Sequence, residues 1–245
     1  MLPWTVASIV LVLAVAGTCL VLGTVTGWLL AATDLPGRRA LLVLATLPLA
    51  VPSYVAAYGW LSLRPGLQGF WPTWAILTAA CLPYVVLPVA AALRSADHAL
   101  VEVARAAGRP PLRALVAGLW PQVVPGAAAG ALLAGLYALS DFGTPSLLRH
   151  QVLTFAVQRQ YGSFVGRERA ALLALGLVAL ALVLVVAERA LRGNAERWRR
   201  AAGAPRPPRP TVLGRWTLPA LALVLLPAIV GAVVPVLALF RRLAL

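Results

Sequence analysis

The sequence predicts an all-α integral membrane protein of about six transmembrane helices, with a helix–glycine–helix elbow on its cytoplasmic face. Composition is the first observation behind that expectation. Of the 245 residues, 61% are hydrophobic and 11% charged, and the mean hydropathy is +0.89. A soluble globular chain carries roughly 25% charged residues. This chain cannot cover its surface with polar groups in water, but in a bilayer its apolar side chains face lipid. Charge is the second observation. All 21 basic residues are arginine, opposed by Asp34, Asp97, Glu102, Asp141, Glu168, Glu188 and Glu196. A net charge of +14 gathered in one basic domain would suit a nucleic-acid binder. Here the arginines fall between apolar runs, the pattern of positive-inside topology, which argues against nucleic acid as a partner. The third observation is a series of runs long enough to span a bilayer.

A span needs about 20 mostly apolar residues. Residues 3–33, 40–63 and 67–93 carry no charge, the last two being separated by Arg64 and a Pro65–Gly66 turn. Further spans are expected at about 119–140, 170–187 and 216–240. The fifth is short, but arginines at its edges can snorkel to the headgroups. The first run has no basic leader and no small-residue cleavage site before a soluble domain, so it reads as a span and not a signal peptide. Taking the loop between the third and fourth spans as cytoplasmic puts 14 arginines on that side and 7 on the other. That orientation places the N-terminus outside.

Proline recurs inside the spans, at Pro48, Pro52, Pro83, Pro88, Pro125, Pro227 and Pro235. Each removes a helix hydrogen bond and can kink the helix. Such helices suit a protein that lines a pathway, although proline is also commoner in membrane helices generally. Residues 190–215 form a basic linker ending in the proline cluster Pro205–Pro210. It is expected to be extended or disordered, in contact with anionic headgroups. Cys19 and Cys81 lie within apolar runs and define neither a metal spacing nor a disulfide framework.

The loop from Asp97 to Trp120 is the informative one. Val101, Ala104 and Ala107 form an apolar stripe at helical spacing, with Glu102, Arg105 and Arg109 off it. Gly108 then stops the helix, Pro110 and Pro111 favour a new start, and Leu112, Leu115 and Leu119 continue on one face. A helix–glycine–helix elbow is a docking element without room for a catalytic centre. The chain contains no lysine and hence no phosphate-binding loop of the Gly-rich, lysine-bearing kind. His-Glu-x-x-His, Gly-x-Ser-x-Gly and paired intramembrane aspartates are also absent, so the sequence offers no support for an enzyme.

At this loop the sequence resembles the permeases of binding-protein-dependent ABC importers. Their cytoplasmic signature is E-A-A, three residues, G, nine residues, I-x-L-P. Here Glu102-Val103-Ala104, Gly108 and Gly118-Leu119-Trp120-Pro121 stand in that register. Glu102, Ala104, Gly108 and Pro121 match, whereas Val103, Gly118 and Trp120 depart. Asp34-Leu-Pro-Gly-Arg-Arg39 with Leu47 to Trp60 is similar to a region of the ferric-iron permeases, as are Ser140 to Arg149 and Gln160 to Phe164. The segment Arg189–Trp216 is similar to the linker between the two halves of such permeases.

The resemblance implies an inner-membrane, multi-pass permease subunit of a bacterial ABC importer for ferric iron. Another small solute, such as thiamine, a polyamine or sulfate, would suit the same elbow, and a non-transport membrane scaffold would suit the basic linker. The implied partners are an ABC ATPase that binds the ATP, an extracytoplasmic substrate-binding protein, and a second permease half or second permease chain. This chain itself would hold no cofactor. Residues 1–189 would be one permease half, 190–215 the linker, and 216–245 the first helix of a second half. Such permeases are commonly two fused halves, so the expectation is a fragment or a split permease, with Gly231 and Ala232 facing lipid.

Within that frame, Glu102, Ala104, Gly108 and Pro121 are the ATPase-coupling candidates. Asp141 is either an intramembrane functional carboxylate or a cap for Phe142-Gly-Thr-Pro. Tyr54, Tyr58 and Tyr84 either offer phenol oxygens to a hard ferric ion or anchor and pack their helices.

Overall fold

The computed structural model describes residues 2–97, 99–161, 167–199 and 210–243. Among these the chain is helical between short turns, with one isolated bridge joining Thr33 and Thr211. The first span is α1 (Leu2–Ala32). The stretch 40–63 is bent at the prolines whose missing N–H groups allowed a kink. There α2 (Arg38–Thr46) passes through a 3₁₀ turn at Leu47–Ala50, and α3 (Ser53–Leu63) leaves at 88°. Pro48 and Pro52 cause the break. Each lacks an N–H, and the ring of Pro52 holds Val51 in the extended region, at φ −109° and ψ 116°.

The third span is built from α4 (Phe70–Cys81) and α5 (Pro83–Ser95), joined through helical Leu82. After the elbow helix α6 (Ala99–Ala106), α7 (Pro111–Ser140) forms the fourth span. Two short helices, α8 (Gly143–Leu147) and α9 (Leu153–Tyr161), lead to α10 (Arg167–Arg199). The last span combines α11 (Thr217–Ala228), a π turn at Ile229–Val233 and α12 (Val234–Leu243). Among the described residues, five helices are thus long and apolar enough to cross a membrane, and six spans result if the bent pair is one.

Helix α10 corrects an expectation. Residues 190–199, read as extended linker, are helical. They are mostly Ala, Leu, Arg and Glu, all strong helix formers, and no proline occurs before Pro205. Extending a helix that already exists also avoids the cost of nucleation. Most of the proline cluster lies outside the described residues. At its end, Thr211 N–H donates to the Ala32 carbonyl (2.8 Å) and Leu213 N–H to the Asp34 carboxylate (2.9 Å). These bonds tie the entrance of the last span to the end of α1.

The core lies where α1, α5 and α7 pack on one another, burying Leu11, Val15, Val85, Val86, Val89 and Ala134. Lipid tails are as apolar as leucine, so association here depends on close packing and not on exclusion of water. Small residues provide the closeness: a β-carbon at Gly23 would lie 2.6 Å from Val85 Cβ, and one at Gly27 2.7 Å from Val89 Cγ1.

The last span is not the loose element expected. Gly231 and Ala232 are buried, and Gly231 packs beside Pro48 and Ala79. The reason is the irregular backbone on both sides of the contact. Pro235 has no N–H to offer the helix, and the π turn shifts the register so that Val234 N–H reaches the Ile229 carbonyl. The Val230 carbonyl instead accepts the indole N–H of Trp60 at 2.9 Å. A donor from α3 thereby satisfies a polar group on the last span, as non-aqueous surroundings require.

Candidate functional site

The elbow is assembled from local backbone chemistry. Asp97 starts it by accepting the Ala99 N–H on Oδ1 at 2.9 Å, a short-range carboxylate turn that favours helix initiation. Gly108, at φ +79°, stops it. Arg109 N–H donates to the Ala104 carbonyl (3.2 Å) and Gly108 N–H to the Arg105 carbonyl (2.9 Å). Those two bonds form a Schellman motif with glycine in the left-handed position. Pro110 is extended, and Pro111 occupies the first turn of α7, where a missing N–H costs nothing.

Helix α6 lies directly on α7. Val101 is buried and Ala104 half-buried, whereas Ala107 falls beyond the end of α6 and is exposed, so the apolar stripe is one residue shorter than its spacing implied. Glu102, Arg105, Gly108 and Arg109 face outward, together with Val103, which is 65% exposed. The second part of the elbow is not a separate helix but the opening turns of the 30-residue α7. Pro121 sits inside α7 with Pro125 one turn on.

Two residues that sequence reasoning passed over hold this arrangement. A β-carbon at Gly118 would lie 2.7 Å from Val101 Cγ2 and 2.8 Å from Val101 N, so glycine there lets α6 rest on α7. Gly118 had registered only as a departure from the family signature. Gln122 Nε2 donates to the carbonyls of Gly118 (2.7 Å) and Asp97 (3.4 Å), and its Oε1 accepts the Asp97 N–H (3.0 Å). Its signal was available: it is the only carboxamide between Leu119 and Ser140.

The other candidates lie at the opposite end of α7. The Asp141 carboxylate accepts Ser53 Oγ–H (2.7 Å) and Thr144 Oγ1–H (2.9 Å) on Oδ2, and Gly143 N–H (2.8 Å) on Oδ1. It thus caps α8 and links α7 to the start of α3. Tyr54 and Tyr58 are exposed one turn apart on α3, and the Tyr58 hydroxyl lies 3.4 Å from Arg242 Nη1. Tyr84 is half-buried beside Tyr137, with ring centroids 6.0 Å apart. Among the described residues, no three His, Cys, Asp or Glu side chains gather as a metal site.

The family model for binding-protein-dependent transport system inner membrane components matches residues 20–200, a range that contains the whole elbow. The chain belongs to that family. It is therefore a multi-pass inner-membrane component of a transport system. A relative from Haemophilus influenzae, the Fe(3+)-transport system permease protein FbpB 2, is 33% identical over 186 residues. The alignment covers 76% of this chain and 37% of the relative, so the chain spans little more than a third of that protein's length.

Proposed function

We propose that this family member is a permease subunit of an ATP-driven importer, and that its elbow is the surface on which an ATPase docks. The observation that carries the proposal is the construction of the elbow: α6 is fixed to α7 on one face, while Glu102, Val103, Arg105 and Arg109 project from the other. A rigid, outward-facing platform of mixed charge suits transmission of a partner's movement into a membrane helix. ATP binds to the partner, and its closure on the elbow rocks the spans between two access states. The elbow is cytoplasmic in this scheme, in keeping with the arginine bias.

The proposed solute is ferric iron, delivered by an extracytoplasmic binding protein. Its support is the likeness to the Fe(3+)-transport permease of Haemophilus influenzae. Tyr54 and Tyr58 are exposed phenols, a ligand type that hard cations favour, the Tyr58 hydroxyl being shared with Arg242, and Asp141 holds the start of their helix. A second permease half or chain supplies the second elbow.

The test is affinity purification from membranes, followed by radiolabelled iron uptake in a strain lacking its own permease. That strain receives the chain with the ATPase, the binding protein and a second permease half. ATPase co-purification and iron uptake, both lost in Gly108→Leu, are expected. Normal uptake and ATPase association in Gly108→Leu would remove the elbow from the mechanism.

A further inference from the structure

The geometry points to Gln122 as a positioning residue that makes the elbow and α7 move as one lever. The inference rests on the proposed docking role of the elbow and adds how force would leave it. Pro121 has no N–H, so the turn from Ala117 to Pro121 lacks its helical hydrogen bond, and Pro125 removes the next one, to the Pro121 carbonyl. Two consecutive turns at the foot of α7 are therefore weakened on one face. A helix so weakened bends when pushed, and a push on α6 would be absorbed there.

The side chain of Gln122 crosses the first of these turns, at Pro121. It lies on the membrane side of Pro121, yet all three of its hydrogen bonds go to the elbow side. Nε2 reaches the Gly118 carbonyl at 2.7 Å and the Asp97 carbonyl at 3.4 Å, and Oε1 takes the Asp97 N–H at 3.0 Å. Asp97 is the residue that starts α6. One carboxamide thus joins the origin of the elbow, the turn before Pro121 and the turn after it. Asparagine is a methylene too short to reproduce this reach, and glutamate supplies the acceptor without the two donors.

The test compares the intact transporter complex carrying wild-type Gln122, Gln122→Leu and Gln122→Glu. Three quantities are measured: the ATPase subunit retained, ATP hydrolysed, and iron taken up per ATP. Nitroxide labels at Val103→Cys on α6 and Leu133→Cys beyond the prolines report the lever directly; Cys19 and Cys81 are buried and do not compete. With Gln122→Leu, ATPase retention and hydrolysis are expected to persist. Uptake per ATP falls by about ten-fold, within the usual range of coupling between sites, and the label distance broadens. Gln122→Glu gives an intermediate ratio and carries the test alone if the leucine variant does not accumulate. An unchanged ratio of uptake to hydrolysis overturns the inference, with or without a change in distance, and so does loss of the ATPase from the variant complex. If the wild-type chain retains no ATPase, the docking proposal fails instead, and the label distance in wild type and variant still decides whether Gln122 holds the elbow.

Discussion

Replacing Gly118 by alanine probes the seat of α6 with a single methyl group. The added carbon would stand 2.7 Å from Val101 Cγ2, 2.8 Å from Val101 N and 3.1 Å from the Leu100 carbonyl carbon. The valine methyl could rotate away, but the two backbone atoms can move only with α6, so the elbow must lift by several tenths of an ångström. Overpacking of this kind costs about 1–3 kcal/mol. The better helix propensity of alanine does not offset this, because α7 is helical whether α6 is seated or lifted. Lifting also strains the bond from Gln122 Nε2 to the Asp97 carbonyl, already long at 3.4 Å. The expectation is a destabilisation of the seated elbow by about 1–3 kcal/mol, so that its open population rises about five-fold or more. Amide hydrogen exchange over α6 reads this directly, because local opening sets the exchange rate there. Gly126→Ala is the control: its β-carbon meets Pro88 at 3.5 Å, an ordinary contact. Unaltered exchange over α6 in Gly118→Ala, or equal effects of the two variants, would refute the reasoning.

At the stop of the elbow, Gly108→Ala places a β-carbon on a residue at φ +79°, which costs about 1–2 kcal/mol. Faster exchange at Ala106 and Ala107 than in wild type is the expected reading. Trp60→Phe keeps the ring but leaves the Val230 carbonyl without its indole donor. Thermal denaturation in detergent should show a loss of about 1–3 kcal/mol, and an unchanged midpoint would mean that the carbonyl finds another partner. Asp141→Ala removes the acceptor shared by Ser53, Gly143 and Thr144, again at about 1–3 kcal/mol. Asp141→Asn should cost less, since both hydroxyls can reverse their direction. For topology, thiol reagents should label Ser95→Cys and Gln151→Cys, both exposed positions, from opposite sides of the membrane. Labelling of both from one side contradicts the arginine-based orientation.

Much of the fold was legible because a bilayer imposes a local rule: a span must be long, apolar and nearly free of charge. Leu2–Ala32, Phe70–Ser95 and Arg113–Ser140 meet that rule from their own residues. The turn at Gly108 was legible for a similar reason, since a left-handed helix stop followed by two prolines is written in consecutive positions. Hydropathy could not reveal the 88° break in the second span, because Pro48 and Pro52 leave the run as apolar as a straight helix. The continuation of α10 to Arg199 was written in the helix-forming residues of 190–199, but their arginines, read together with the proline cluster beyond, set the start of the linker too early.

Tertiary structure alone decided how the candidate residues are held. Asp97 and Gln122 are 25 residues apart, Ser53 and Asp141 are 88 apart, and Trp60 and Val230 are 170 apart. Nothing in a local window pairs such groups. In lipid, a polar atom without water must find its partner inside the protein, and which partner is near depends on how the helices cross. Small residues fix those crossings, as Gly23 and Gly27 do against Val85 and Val89 and Gly118 does against Val101. A glycine's value there is set by the atoms opposite it, so the sequence determined the spans and the elbow's turn, while packing determined what the elbow rests on.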